Sequence, residues 1–121
     1  MRVLRKKFLK RVVSKQIHYN VYVVLLDDKV GRMAKVRLLN PKRDSKKPCI
    51  YVGMTGLDPA ERFLNHQAGY KASKYAMKYG IRLMPELYED LNPLTYDEAV
   101  IAEEGLARRL REEGYTVVGG H

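Results

Sequence analysis

Cys49–Gly80, CIYVGMTGLDPAERFLNHQAGYKASKYAMKYG, is the segment around which the chain is organised. Cys49–Met54 is apolar and aromatic with no breaker, which predicts a buried strand. Thr55-Gly56 turns the chain. Asp58 then suits a helix N-cap, Pro59 the first helical position, and Glu61 the first turn, where a carboxylate favours the dipole. Gly69 suits a left-handed C-cap. On this helix Arg62 and His66 are four residues apart and share a face, while Phe63 and Leu64 are expected to point to the core. In a second helix Lys71, Lys74 and Lys78 form one stripe, with Ala72, Tyr75, Ala76 and Tyr79 opposed to it. A strand end thus delivers a tyrosine, an arginine, a histidine and a lysine row to one region, a set suited to phosphate chemistry.

Upstream, Asn20–Leu26 (NVYVVLL) predicts a second buried strand. Between the two strands, residues 27–48 are long for a hairpin connection. MAKVRLL alternates enough for a minor strand and NPKRDSKKP is a turn-rich loop, so a protruding, mobile, basic insertion is expected. Residues 1–19 form a basic arm in which Leu4, Phe8 and Val12 fall at helical spacing. Such an arm lies on a polyanion or membrane surface, or packs on the domain.

Downstream, Ile81–Tyr88 predicts a third strand, broken or set at an edge by Pro85. Thr95 and Glu98 make a capping box that opens the longest helix, to about Glu113, before a short strand at Tyr115–Val118. The order β-β-α-α-β-α-β predicts an α+β domain with a small antiparallel or mixed sheet. On the long helix Ala99, Leu106, Leu110 and Ala107 form an apolar stripe, and Glu103 falls inside it. A carboxylate there is costly unless paired or coordinated. It is either a buried salt bridge, for instance to Arg62, or a metal-binding group.

A chain of 121 residues holds one domain, and its formal charge of +9 favours polyanionic partners. Residues 1–20 carry seven Lys/Arg and no acid, and residues 29–47 carry eight against Asp44 alone. Residues 86–113 reverse the sign, with nine Asp/Glu against three arginines. The single cysteine, Cys49, excludes an internal disulfide and a multi-cysteine metal site, and reads as a small core residue. No apolar run is long enough to span a membrane and no signal-peptide core is visible, so a cytoplasmic location is expected.

Asn20-Val21-Tyr22 followed by Tyr51-Val52-Gly53 resembles the paired motif of the GIY-YIG nuclease superfamily. Arg62, His66 and the helix EAVIAEEGLARRL with Glu103 follow in the same order as in that family. The likeness spans roughly residues 20–118 and is strongest to small stand-alone members. The resemblance implies a three-stranded, mainly antiparallel sheet flanked by helices, and hydrolysis of DNA phosphodiester bonds with Mg²⁺ or Mn²⁺. It implies that Glu103 holds the metal and that Arg62 binds the scissile phosphate. It places Tyr22 and Tyr51 in the cleft, one as general base or water-orienting group. His66 assists by hydrogen bonding or proton transfer, and Lys71, Lys74 and Lys78 hold the nucleic-acid backbone. The expected partner is DNA rather than RNA, with any sequence specificity supplied by a partner protein or by the structure of the DNA. The alternative is a nucleic-acid-binding protein of the same fold with weak or no cleavage.

Overall fold

A computed structural model describes residues 17–69 and 73–120. Most of the basic arm expected at residues 1–19 therefore lies outside the described residues, and so does Lys71. Strands β1 (Asn20–Leu26) and β2 (Cys49–Thr55) pair antiparallel through the centre of a four-stranded mixed sheet of order β3-β1-β2-β4. Their β-branched residues explain the choice. Val21, Val23, Val24, Ile50 and Val52 are all fully buried, as two central strands covered on both faces require.

Strand β3 (Gly80–Leu83) joins the far side of β1 antiparallel, and β4 (Thr116–Gly119) joins β2 in parallel. The expected three-stranded antiparallel arrangement is thus corrected: β3-β1-β2 is antiparallel, and β4 extends it as a fourth, parallel strand. The long helix between β3 and β4 supplies the crossover that brings the last strand back in the same direction as β2. The strand expected over Ile81–Tyr88 stops at Leu83. Pro85 opens a short 3-10 turn instead, because it has no N–H to give a ladder.

The insertion does not protrude. It forms a 3-10 turn at Asp28–Arg32 and a helix, α1 (Ala34–Leu39), where a minor strand was expected. Val36 is buried while Leu38 and Leu39 are exposed, so the sequence alternation did not mark a sheet face. The segment folds back onto the end of the sheet. Asn40 Nδ2 donates to Val36 O (2.8 Å) and Val117 O (2.9 Å), and Val117 N donates to Asn40 Oδ1 (2.8 Å). Asp44 N donates to Gly114 O (2.7 Å), and Lys42 pairs with Glu112.

Helices α2 (Pro59–Gln67), α3 (Lys74–Tyr79) and α4 (Tyr96–Glu112) complete the fold. Asp58 caps α2 through Ala60 N, and Gly69 beyond its end has φ of +81°, as expected for the left-handed position. Thr95 and Glu98 form the reciprocal capping box of α4. Leu64 corrects an expectation: it is 62% exposed, and Phe63 alone of that pair packs on the core. No helix among the described residues is long and apolar enough to cross a membrane.

Candidate active site

The register of β1 on β2 places Tyr22 opposite Gly53 and Val24 opposite Tyr51. Side chains alternate across a sheet, so Tyr22 and Tyr51 share one face, separated by a glycine. That glycine is a spatial necessity. A Cβ at Gly53 would lie 2.7 Å from Tyr22 Cζ and Oη and 2.9 Å from the Tyr51 ring. The two rings lean over the bare backbone with centroids 6.1 Å apart.

Helix α2 brings His66 against both rings, with centroids 6.0 Å from Tyr22 and 5.8 Å from Tyr51. His66 is fully buried and both ring nitrogens are engaged. Ser73 N lies 3.0 Å from Nδ1, and Nε2 lies 2.8 Å from Tyr22 Oη. A backbone N–H can only donate, so Nδ1 is the acceptor and the proton of the neutral ring sits on Nε2. His66 therefore donates to Tyr22. Burial, and secondarily the Arg62 guanidinium, push its pKa down to about 4, which keeps the ring neutral near pH 7.

Tyr22 sits at the centre of a polar cluster. Besides His66, Arg62 hydrogen-bonds to its hydroxyl, in a sense that favours the phenolate. Tyr51, whose ring lies beside it, acts in the opposite sense and favours the protonated phenol. Burial dominates these effects and, with the neighbouring Tyr51, raises the Tyr22 pKa well above the ordinary phenol value. Tyr22 is thus buried and protonated, while Tyr51 is only half-buried.

Glu103 is buried, 7% exposed, on the stripe with Ala99, Leu106, Ala107 and Leu110, as the helical projection predicts. Its turn of α4 is held against the end of β4. A Cβ at Gly120 would meet the Ala107 Cβ at 2.3 Å and the Glu103 carbonyl oxygen at 3.6 Å. The adjacent Gly119 underlies Tyr51, whose ring carbon would meet a Cβ there at 2.8 Å. Both glycines have positive φ, at 80° and 76°. The Gly119-Gly120 pair therefore lets the Glu103 turn and the Tyr51 ring approach the same corner of the sheet. Glu103 and Arg62 are each engaged in polar or electrostatic contact. Among the described residues, no group of three or more His, Cys, Asp or Glu stands together as a metal cage.

The structure thus brings Tyr22, Tyr51, Arg62 and His66 together and sets the Glu103 turn beside them. Lys74 and Lys78 are exposed on α3, and the Lys78 ammonium lies over the Tyr79 ring at 5.5 Å. Two supporting residues were not singled out in the sequence. Ser73, which caps α3, also fixes the His66 tautomer. Asn92 pairs with both backbone groups of Val21, next to Tyr22, at 2.9 and 2.8 Å. In the sequence Asn92-Pro93 marks only a turn, and Ser73 falls inside the expected second helix with no role assigned to it.

No protein-family model, curated protein or solved structure matches the chain.

Proposed function

We propose that the chain is a divalent-metal-dependent endonuclease of GIY-YIG type that hydrolyses DNA phosphodiester bonds. The observation that carries this reading is the Tyr22 hydroxyl, held by His66 and Arg62 beside the Tyr51 ring. Hydrolysis needs a water to lose a proton as it attacks phosphorus, and needs the charge gathering on the phosphoryl oxygens to be offset.

Tyr51 is the group that would take or orient that proton, because it is the less buried of the two phenols. For Tyr51 to take the proton its own must first leave to solvent, and the neighbouring Tyr22 hydroxyl would face the negative charge left on its oxygen until the water's proton neutralises it. The Tyr22 oxygen is met in turn by the His66 N–H and the Arg62 guanidinium. His66 acts as a fixed donor. It accepts no proton from Tyr22, since its Nε2 is already protonated and its Nδ1 is occupied by Ser73. Arg62, half-buried beside Tyr22, offers a planar fork to a phosphate.

Glu103 is the residue that would hold Mg²⁺. A single carboxylate suits that ion, which keeps most of its shell for water and phosphate oxygens. Bound there, the metal supplies Lewis-acid stabilisation of the phosphoryl charge.

Plasmid nicking by the purified chain with Mg²⁺ or Mn²⁺, with a chelator control and a Glu103→Gln variant, tests the reading. Metal-dependent nicking that is lost in the variant is expected. DNA retention with no cleavage under any metal would instead make the chain a binding protein of this fold.

A further inference from the structure

At the opposite end of β2 from Gly53, the folded-back insertion encloses a second recess of about 250 Å³. Its floor is the Cys49 thiol and Gly31, where a Cβ would lie 3.1 Å from Cys49 Sγ and 4.0 Å from Arg43 Nη1. Arg32, Arg37, Arg43 and Lys47 line it against one carboxylate, Asp28. That leaves a local excess of three positive charges.

The arrangement is not explained by ion pairing. Among the described residues Arg32, Arg37 and Arg43 carry no salt bridge, whereas Lys42, Arg82, Arg108 and Arg109 each do. Nor does the floor neutralise the walls: burial pushes the Cys49 thiol pKa up and keeps it uncharged. Gathering like charges around a concavity costs repulsion that an anion relieves. The walls are also held in place. Asn40 and Asp44 tie the insertion to the α4–β4 corner, and Lys47 donates to the Glu113 carbonyl while its ammonium lies over the Tyr115 ring.

We infer that this recess is a phosphate-binding pocket in which Arg32, Arg37 and Arg43 grip the phosphoryl oxygens and Lys47 adds a point charge. Guanidinium groups are the side chains best matched to phosphate geometry. The volume admits more than one phosphoryl group. Two sources carry that chemistry: a backbone phosphate of the bound nucleic acid, or a small phosphorylated molecule. The first is within reach. Cys49 and Gly53 are four residues apart on one strand, about 13 Å, which is roughly four nucleotide steps along a duplex. The pocket itself stands independently of the nuclease reading, since it uses none of Tyr22, Tyr51, Arg62, His66 or Glu103; only the nucleic-acid source rests on that reading.

The test is calorimetric titration of the full chain with pyrophosphate, comparing wild type with an Arg37→Gln plus Arg43→Gln variant. A saturable site weakened at least tenfold in the variant is expected. Arg32→Gln alone gives a second, independently folded check, and Arg43→Lys should retain part of the affinity. Anisotropy with a short duplex then separates the sources. A weaker duplex affinity and a shallower salt slope in the variant assign the pocket to the nucleic-acid backbone. Unchanged duplex binding with lost pyrophosphate binding assigns it to a small molecule. No saturable binding in the wild type, or equal binding by every variant, overturns the pocket.

Discussion

Gly53 shows how much one missing methyl group can decide. Its Cα faces Tyr22 across the β1–β2 pair, and the phenol occupies the space that a side chain would take. Gly53→Ala forces a ring carbon and the Tyr22 hydroxyl outward by several tenths of an ångström, against neighbours that are themselves buried. Overpacking of this kind costs about 1–3 kcal/mol. The Tyr22–His66 bond should break before the sheet does. The expected outcome is a folded variant with little or no nicking, read by circular dichroism and plasmid conversion. Normal cutting would show that the Tyr22–His66 bond is dispensable. His66 makes a second prediction at this scale. Its folded pKa of about 4 lies below the ordinary histidine value of about 6.5, so the unfolded chain takes up a proton that the folded ring refuses. The contribution is complete above about pH 6.5 and is lost as pH falls toward 4, by up to about 3 kcal/mol. Urea midpoints at pH 7.5, 5.5 and 4.5 should therefore fall more steeply for wild type than for His66→Gln. Parallel lines would mean that the histidine is not held neutral by the fold.

Among the elements, β1 and β4 are each completed by an asparagine side chain where the neighbouring backbone runs out. Strand β3 reaches only Val24–Leu26, so the Asn92 amide takes over at Val21 and supplies both partners. On the outer edge of β4, the Asn40 amide does the same for Val117. An open strand edge is a template for unwanted pairing, and a buried orphan N–H costs about 1–3 kcal/mol. Asn40→Ala removes the acceptor for Val117 N and unties the insertion, so a loss of about 2–4 kcal/mol is expected from chemical denaturation. A loss below about 0.5 kcal/mol would show that the edge is satisfied by other means. These two asparagines mark where the sequence stopped being informative. The central strands, the caps at Asp58 and Thr95, the left-handed Gly69 and the misplaced carboxylate Glu103 all follow from local rules, and each stands where those rules put it. Helix α1 and the side-chain pairing of Asn40 and Asn92 do not. They depend on contacts such as Asn40 with Val117, 77 residues apart, which no window of sequence contains. The site followed the same division. Arg62 and His66 on one helical face were visible, but the His66 tautomer was set by Ser73, seven residues on and across a turn.

Over the whole molecule, the two charge halves meet different fates. The acidic residues of α4 are partly consumed at home: Glu104 pairs with Arg108, Glu113 with Arg109, and Glu112 with Lys42. These are exposed pairs, worth little to stability, but they lower the field on that side. Apart from Lys42, the cations of the insertion and the exposed Lys74 and Lys78 form no such ion pair among the described residues. For the proposed DNA partner this predicts binding that is electrostatic and indifferent to sequence, because phosphate contacts position a duplex without reading it. Each neutralised phosphate contributes about −0.9 to the slope of log K against log salt. A footprint of about five phosphates would give a slope near −4.5, an affinity loss of several hundredfold between 50 and 200 mM salt. Anisotropy on two duplexes of unrelated sequence measures both quantities at once. Parallel steep lines that nearly coincide are expected. A shallow line, or a wide gap between the duplexes, would mean that base edges or apolar contacts carry the binding, and the basic half of the chain would need another explanation.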